Sequence, residues 1–199
     1  MAGMDSTRLS LLERLRQPGD KEAWARFMAV YEPLLKGYVR SLNVPAHDAD
    51  DVVQTVFISL LRAMPTFSLD REKGRFRTWL YRLTINAVRD RWRRTKTRGA
   101  REVGWNPDLP EPGVTDPEPD AGWEEAYQRR MLQLALDELR VSTEAKTWAC
   151  FQKHKLESRD SNEVAVELGL SPEAVRKNAS RVFKKVQERA GELAQENER

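Results

Sequence analysis

The sequence has one cysteine, two histidines and no long apolar run. A single cysteine excludes an internal disulfide framework and a cysteine-cluster zinc site, and it is typical of a reducing cytoplasm. No apolar stretch approaches the roughly 20 residues that a membrane helix needs. The N-terminal segment carries charges among its apolar positions, unlike a signal peptide or an anchor. No alternating strand pattern of useful length occurs. We therefore expect a soluble, cytoplasmic, all-α protein.

Helical spacing of apolar residues extends along most of the chain and is interrupted once. Residues 99–122 hold five of the ten prolines and six acidic residues against one arginine. This composition is typical of an extended linker. A chain of 199 residues is long enough for two small domains. We predict a helical domain at residues 6–98, an acidic Pro-rich linker at 99–122 and a second helical domain at 123–191, with Ser142 capping an inner helix.

Positive charge is concentrated between Arg71 and Arg98, where eleven Lys/Arg and two acidic residues leave a local charge of +9 in a chain of net charge +3. We predict that this segment contains a fourth helix, from about Phe76 to Thr97. The 4-3-4 spacing assigns four polar residues to one outward face: Arg82, Asn86, Arg89 and Arg93. Arginines and an amide can hold phosphates and read a base edge. Trp79 and Tyr81 could also stack on unpaired bases, which indicates a nucleic-acid surface.

An acidic amphipathic helix precedes the basic one, and Asp48 is predicted to cap it. Its predicted inner stripe has five members: Val53, Val56, Phe57, Leu60 and Met64. Asp48, Asp50 and Asp51 could also suggest a Mg²⁺ site. Acidic residues at a helix N-terminus are already favoured by the helix dipole, so we prefer that explanation and predict no metal.

The C-terminal part has the spacing of a helix-turn-helix. Ala165 is small where two helices approach, Gly169 suits the turn, and Ser171 followed by Pro172 indicates the start of the next helix. Its predicted buried stripe is Val175, Ala179, Val182 and Val186. Its outer face is polar and placed to enter a major groove. We expect Arg176 and Lys177 to contact base edges there; the phosphate ligands would be Lys184, Lys185 and Arg189.

Two other classes of protein are weighed against a nucleic-acid-binding one. An enzyme could use Cys150 and His154, which are four residues apart on a helix, but two groups make neither a triad nor a closed metal site. We expect Cys150 to pack in the core and His154 to be exposed. A stand-alone helix-turn-helix regulator is the remaining alternative, and it leaves the acidic third helix unexplained.

These motifs, in this order, resemble those of the extracytoplasmic-function sigma factors, the smallest branch of the bacterial housekeeping-sigma superfamily. DADDVVQTVFISLL is similar to the polymerase-docking helix of that family, and GRFRTWLYRLTINAVRDRWRR to its promoter-melting and −10-reading helix. The resemblance implies sigma domain 2, a linker and sigma domain 4, with no cofactor and no catalytic residue. It also implies that the linker passes near the active-site cleft and RNA exit channel of the polymerase.

The resemblance assigns roles to individual residues. Docking on the clamp coiled coil of the β′ subunit of core RNA polymerase would use Asp48, Asp51, Gln54 and Thr55. Binding of the −10 element, with a flipped base held by the 67–74 loop, would use Phe67, Arg75, Arg77, Trp79, Arg82, Asn86, Arg89, Asp90, Arg93 and Arg94. Reading of the −35 element of promoter DNA would use Ser171, Glu173, Arg176, Lys177, Ser180, Arg181 and Lys184. The family commonly has an anti-sigma partner.

One stretch departs from the family pattern. Ser158, Arg159, Asp160 and Ser161 precede the first helix of the motif, where the family usually has Gly-Leu-Ser-aromatic. Two apolar positions are therefore polar here. The change bears on how this domain packs and on which −35 sequence it accepts.

Overall fold

The computed structural model describes residues 11–17, 19–67, 76–97 and 117–198. Within these ranges the regular elements are helices, which confirms the all-α prediction. They are α1 (Leu11–Leu15), α2 (Lys21–Ser41), α3 (Ala46–Ala63), α4 (Phe76–Thr97), α5 (Ala121–Ser142), α6 (Ala145–Phe151), α7 (Ser161–Leu168) and α8 (Pro172–Glu198). In the described part of the chain, no helix is both long and apolar enough to cross a membrane.

The chain forms two compact units, Met1–Tyr127 with Asn197–Arg199, and Gln128–Glu196. The predicted domain limits, 6–98 and 123–191, stay a prediction. The first unit continues beyond residue 98 because Trp123, at the start of α5, packs edge-on against Tyr38 of α2 at a centroid distance of 5.1 Å. Trp123 is fully buried there. Burial of a ring of this size fixes the first turn of α5 to the first unit.

Aromatic side chains hold α2, α3 and α4 together in the first unit. Phe27 of α2 stacks on Tyr31 at 4.4 Å and meets Phe57 of α3 and Phe76 of α4 edge-on at 6.2 and 5.8 Å. Edge-on and offset rings add attraction to the area that they bury. The predicted inner stripe of α3 is buried throughout. Pro33 lies inside a continuous α2.

Two predicted caps are wrong. The N-cap of α3 is Pro45, and Asp48 lies within the first turn with only 8% of its surface exposed. Its carboxylate instead pairs with Arg91 of α4, a tertiary contact that helix-capping preferences cannot reveal. The N-cap of α6 is Glu144, whose carboxylate accepts from the backbone N–H groups of Lys146 and Thr147. Ser142 is the last residue of α5.

The second unit contains the helix-turn-helix that the sequence predicts. Gly169 ends α7 in the left-handed conformation, with a φ of 61°. The Ser171 hydroxyl accepts from the backbone N–H of Ala174 at 3.1 Å, so it caps α8, which begins at Pro172. Val164 and Ala165 of α7 pack with Val175 of α8 and Cys150 in one buried cluster. The predicted stripe of α8 is also buried, which confirms the register of this helix.

We expect Gly169→Ala to lower the free energy of unfolding of the second unit by about 1 kcal/mol, because a Cβ disfavours the left-handed conformation. Gly191 is the matched control, since it lies inside α8 with no atom within 4 Å of an added Cβ. Gly191→Ala should raise the same free energy by up to about 1 kcal/mol. Urea unfolding of both variants measures the two changes, and equal shifts would contradict this account of the turn.

Candidate nucleic-acid interface

One side of α4 packs in the core and the other carries polar side chains. Phe76, Leu80, Ile85 and Val88 are fully buried. At about 100° of rotation per residue, the opposite side of the helix carries five of the predicted −10 residues: Trp79, Arg82, Asn86, Asp90 and Arg93. Asn86, Asp90 and Arg93 are exposed, whereas Trp79 and Arg82 are half-buried. We call this set the α4 polar face.

Two predictions for α4 are wrong in detail. Arg89 is buried, with 8% of its surface exposed, and its Nη1 lies 3.2 Å from the Asn86 side-chain oxygen. It is only about 40° of helical rotation from Ile85, so it lies at the edge of the core. Tyr81 cannot stack on a base in this structure because it is 1% exposed. The 4-3-4 spacing of polar residues could not distinguish a residue at the edge of the polar face, such as Arg89, from one at its centre.

An aromatic corner lies at the N-terminal end of α4. Phe67, just after the turn that follows α3, has its ring 4.5 Å from that of Trp79, at 33°. Phe76 meets the two rings at 5.9 and 5.7 Å. Phe67 and Trp79 are half-buried, so each ring keeps part of its surface for another contact. The rest of the predicted base-capturing loop, and Arg75, lie outside the described residues.

The acidic helix α3 is joined to α4 by the ion pair between Asp48 and Arg91. This contact removes Asp48 from the exposed polar side of α3. Three other predicted docking residues, Asp51, Gln54 and Thr55, are exposed. Asp50 lies 3.1 Å from the ammonium group of Lys36 on α2. The three aspartates of this helix therefore do not converge on one point, and no group of three or more metal-ligating side chains occurs among the described residues.

The end of the predicted linker lies on α2 and α4, which the sequence did not indicate. We call residues Pro117–Glu124 the acidic strap. Asp120 accepts from the Tyr38 hydroxyl at 2.6 Å and from the backbone N–H of Trp123 at 2.7 Å. Burial, and then this hydrogen bond, raise the pKa of Tyr38 well above its usual value. In the sequence, the one indication of a structural role for Asp120 is its position before α5, where an N-cap is expected.

Two carboxylates of the acidic strap pair with arginines that the sequence assigned to the −10 element. Glu118 lies 2.9 Å from Nη2 of Arg82, and the carbonyl oxygen of Pro117 accepts from Nε of the same arginine at 3.3 Å. Glu124 lies 3.1 Å from Nη2 of Arg77. The guanidinium group of Arg77 also stacks on the ring of Tyr127, 4.5 Å from its centroid. The strap therefore covers Arg82 on the α4 polar face, whereas Arg77, which is 14% exposed, lies about 180° of helical rotation from Asn86, on the side that packs in the core.

The outer face of α8 is exposed as predicted. The exposed members are Ser171, Glu173, Arg176, Lys177, Ser180, Arg181 and Lys184. Arg176 donates from Nη1 to the hydroxyl of Ser161 at 2.9 Å, so it also ties α8 to α7. The predicted phosphate ligand Arg189 is half-buried and pairs with Glu138 at 2.6 Å. Its guanidinium group is already held within the unit, which does not favour that role.

The polar stretch that departs from the family pattern has structural roles. The Asp160 carboxylate accepts from the backbone N–H of Asn162 at 2.7 Å, which caps α7 and lowers the pKa of Asp160. Glu167 of α7 lies 2.7 Å from Lys153 and 2.8 Å from Arg159. Hydrogen bonds, first from Lys153 and then from Arg159, lower the pKa of Glu167. These polar contacts hold the start of the motif where the family pattern has apolar residues.

Cys150 and His154 do not form a catalytic pair. Cys150 is fully buried in the cluster between α7 and α8, as predicted. His154 is half-buried rather than exposed, and its Nδ1 lies 2.8 Å from the carbonyl oxygen of Arg159. A π-helical turn occupies Gln152–Leu156, so residues four apart in this stretch do not share a face as they would in an α-helix.

Comparison with known proteins gives the following similarities. The Sigma-70 region 2 family matches residues 27–98, which include α3 and α4. RNA polymerase sigma factor CnrH of Cupriavidus metallidurans is 34% identical over 43% of this chain and 46% of its own length. The ECF RNA polymerase sigma-E factor of Escherichia coli is 38% identical over 40% of this chain and 39% of its own length. The chain thus spans less than half the length of these two relatives.

One relative matches along nearly its whole length. RNA polymerase sigma factor CarQ of Myxococcus xanthus is 29% identical over 92% of this chain and 97% of its own. A solved structure of CnrH in complex with the cytosolic domain of CnrY covers 89% of this chain and 92% of the solved one, with 22% identity and a TM-score of 0.36.

The buried Tyr38 hydroxyl should make the stability of the first unit sensitive to alkaline pH. In the unfolded chain tyrosine loses its proton near pH ~10, whereas the folded state retains it because the pKa of Tyr38 is raised. The stabilisation is therefore complete below pH ~10 and is lost as the pH rises further, by at most about 1.4 kcal/mol per pH unit for one group. Urea unfolding should show a shallower loss in Tyr38→Phe than in wild type; identical pH profiles would contradict the assignment.

Proposed function

Since this chain belongs to the extracytoplasmic-function sigma factors, we propose that it directs core RNA polymerase to specific promoters and starts DNA-templated transcription. The observation that carries the proposal is the α4 polar face, held beside the acidic helix α3 within the matched region 27–98. The protein acts in the cytoplasm as a specificity subunit and performs no catalytic chemistry itself. The family match lies outside the helix-turn-helix, so it favours a sigma factor over a stand-alone regulator.

The first unit would bind both the polymerase and the opened −10 element. Asp51, Gln54 and Thr55 lie exposed on α3, where they can meet the clamp coiled coil of the β′ subunit. Asn86 and Arg93 on the α4 polar face would contact the unpaired strand. Flipping a base costs a few kcal/mol, and stacking on an aromatic ring returns about 1–3 kcal/mol, so the aromatic corner has the right magnitude to favour opening.

The second unit would read the −35 element as a duplex. The exposed outer face of α8 has the charge and length to enter a major groove, with its N-terminal residues at the base edges. The linker and the bound polymerase keep each unit at a high effective concentration near its own promoter element. Two weak DNA contacts can therefore act together. The anti-sigma partner that the resemblance implies remains a prediction.

Reversing the charge on the exposed end of α4 should strongly reduce initiation while leaving polymerase binding intact. We expect Arg93→Glu/Arg94→Glu to reduce promoter-dependent run-off transcription at least roughly tenfold, since two phosphate contacts become repulsive. The conservative Arg93→Lys/Arg94→Lys variant should retain most activity. The matched control is Arg26→Glu/Arg40→Glu, at exposed positions of α2.

Co-elution with core polymerase shows whether each of these variants still assembles. Full transcription by Arg93→Glu/Arg94→Glu would contradict the assignment of the α4 polar face. A wild-type protein that fails to co-elute with core polymerase would instead indicate a stand-alone regulator.

Two lysines of α8 should have different effects on DNA binding by the holoenzyme. Lys177→Ala should relax the preference at one base pair of the −35 element, by about 1–3 kcal/mol of discrimination. Lys184→Ala should weaken binding to all sequences alike and reduce the salt slope by about 1. Lys184 is exposed and lies 3.6 Å from Glu188, a weak pair that costs little to lose.

Competition binding with −35 duplexes that differ by one base pair separates these two effects. Arg140→Ala, an exposed arginine of α5, serves as the control. Lys177→Ala with an unchanged base preference would exclude Lys177 from direct readout.

A further inference from the structure

We propose that the acidic strap is an internal competitor for a phosphate site of α4. Glu118 occupies Arg82 until single-stranded DNA displaces it. This inference rests on the proposed function, because it takes Arg82 as a ligand of the unpaired −10 strand. It adds a regulatory contact that neither the charge pattern nor the family match indicates.

The carboxylates are positioned as phosphates would be. Glu118 lies 2.9 Å from Nη2 of Arg82, and Glu124 lies 3.1 Å from Nη2 of Arg77. These are the distances of charge-assisted hydrogen bonds, which a guanidinium group forms equally well with a carboxylate and a phosphate. A strand that binds Arg82 through its backbone must therefore first remove Glu118. Arg77 is 14% exposed and lies about 180° of helical rotation from Asn86, so it stays paired with Glu124.

The strap has a fixed point and one releasable group. Asp120 is held by Tyr38 at 2.6 Å and by the backbone N–H of Trp123, whose ring is fully buried. By contrast, the side chain of Glu118 is 75% exposed in its pair with Arg82, so water and salt screen that contact. Such a pair contributes at most about 1 kcal/mol. The Glu118 carboxylate can therefore leave Arg82 while Asp120 stays in place.

This arrangement discriminates between ligands by the number of contacts they make. The anchored strap keeps the Glu118 carboxylate at a high effective concentration beside Arg82. A small anion that reaches one arginine gains one contact and displaces one, which is nearly neutral. A strand that also reaches the exposed Arg93 and Asn86 gains further contacts, so only an extended single strand overcomes the strap. The free protein is thereby protected from binding small anions at Arg82.

Fluorescence anisotropy of the full chain with a labelled oligothymidylate of about 15 nucleotides tests the proposal. We expect Glu118→Gln to bind up to about fivefold more tightly than wild type, since an exposed pair contributes up to about 1 kcal/mol. The magnitude of the salt slope should rise by up to about 0.7, the value for one arginine made available to a phosphate. Glu118 is 75% exposed, so its replacement leaves folding unaffected. Glu124→Gln should change the affinity less than about twofold, because its partner Arg77 lies on the core side of α4.

The control removes the same formal charge elsewhere. Glu163→Gln, at an exposed position of the second unit, should change the affinity less than about twofold, because it removes one carboxylate that pairs with no arginine of α4. Equal or weaker binding by Glu118→Gln would overturn the proposal; if the wild-type holoenzyme still initiates transcription, the proposed function survives. If the wild-type holoenzyme fails to initiate and no variant binds the oligonucleotide, both fall together.

Discussion

The burial of one side of α4 against α2 and α3 is the constraint on which the rest of the first unit depends. Phe76, at the start of this helix, packs edge-on against Phe27 and Tyr31. Because a helix is rigid over its length, fixing this side in the core also fixes the direction of the opposite one. The arginines and the amide of the α4 polar face are then presented without a further ordering cost at the moment of binding. A surface prepared in this way retains more of its contact energy as affinity.

A segment with a local charge of +9 must also be tolerated in the folded state before any nucleic acid binds. Among the described residues, Asp90 pairs with Arg93 within α4, and further compensation comes from other segments of the chain. Asp48 of α3 pairs with Arg91, and the acidic strap supplies Glu118 and Glu124 to the arginines on the other side. The pair between Asp48 and Arg91 is largely covered by protein and belongs to the framework, whereas Glu118 is mostly exposed and can exchange. The Asp48–Arg91 pair is therefore a permanent contact, whereas the Glu118–Arg82 pair is replaceable. The replaceable pair involves an arginine that we assign to DNA binding.

The sequence was sufficient where local chemistry decides the structure. The bounds of α4, the buried stripes of α3 and α8, and the cap-plus-proline start of α8 were predicted because spacing and capping are local properties. The prediction was wrong for Asp48, Arg89 and Tyr81, whose surroundings come from other helices. No periodicity shows that Arg91 reaches Asp48, or that Asp120 reaches Tyr38 across 82 positions of sequence. The exposed part of the candidate site was therefore predictable, whereas the contacts that cover it were not.

The central claim is that the α4 polar face lies on the unpaired strand of an opened promoter. Cys150 is the only cysteine and is fully buried, so a cysteine introduced at Asn86 can be labelled selectively. An iron-chelate cleavage reagent on Asn86→Cys, in holoenzyme assembled on promoter DNA, is expected to cut the non-template strand within the −10 element, and the same reagent on Arg26→Cys is expected not to. Cleavage confined to upstream duplex, or equal cleavage from the two positions, would contradict the claim.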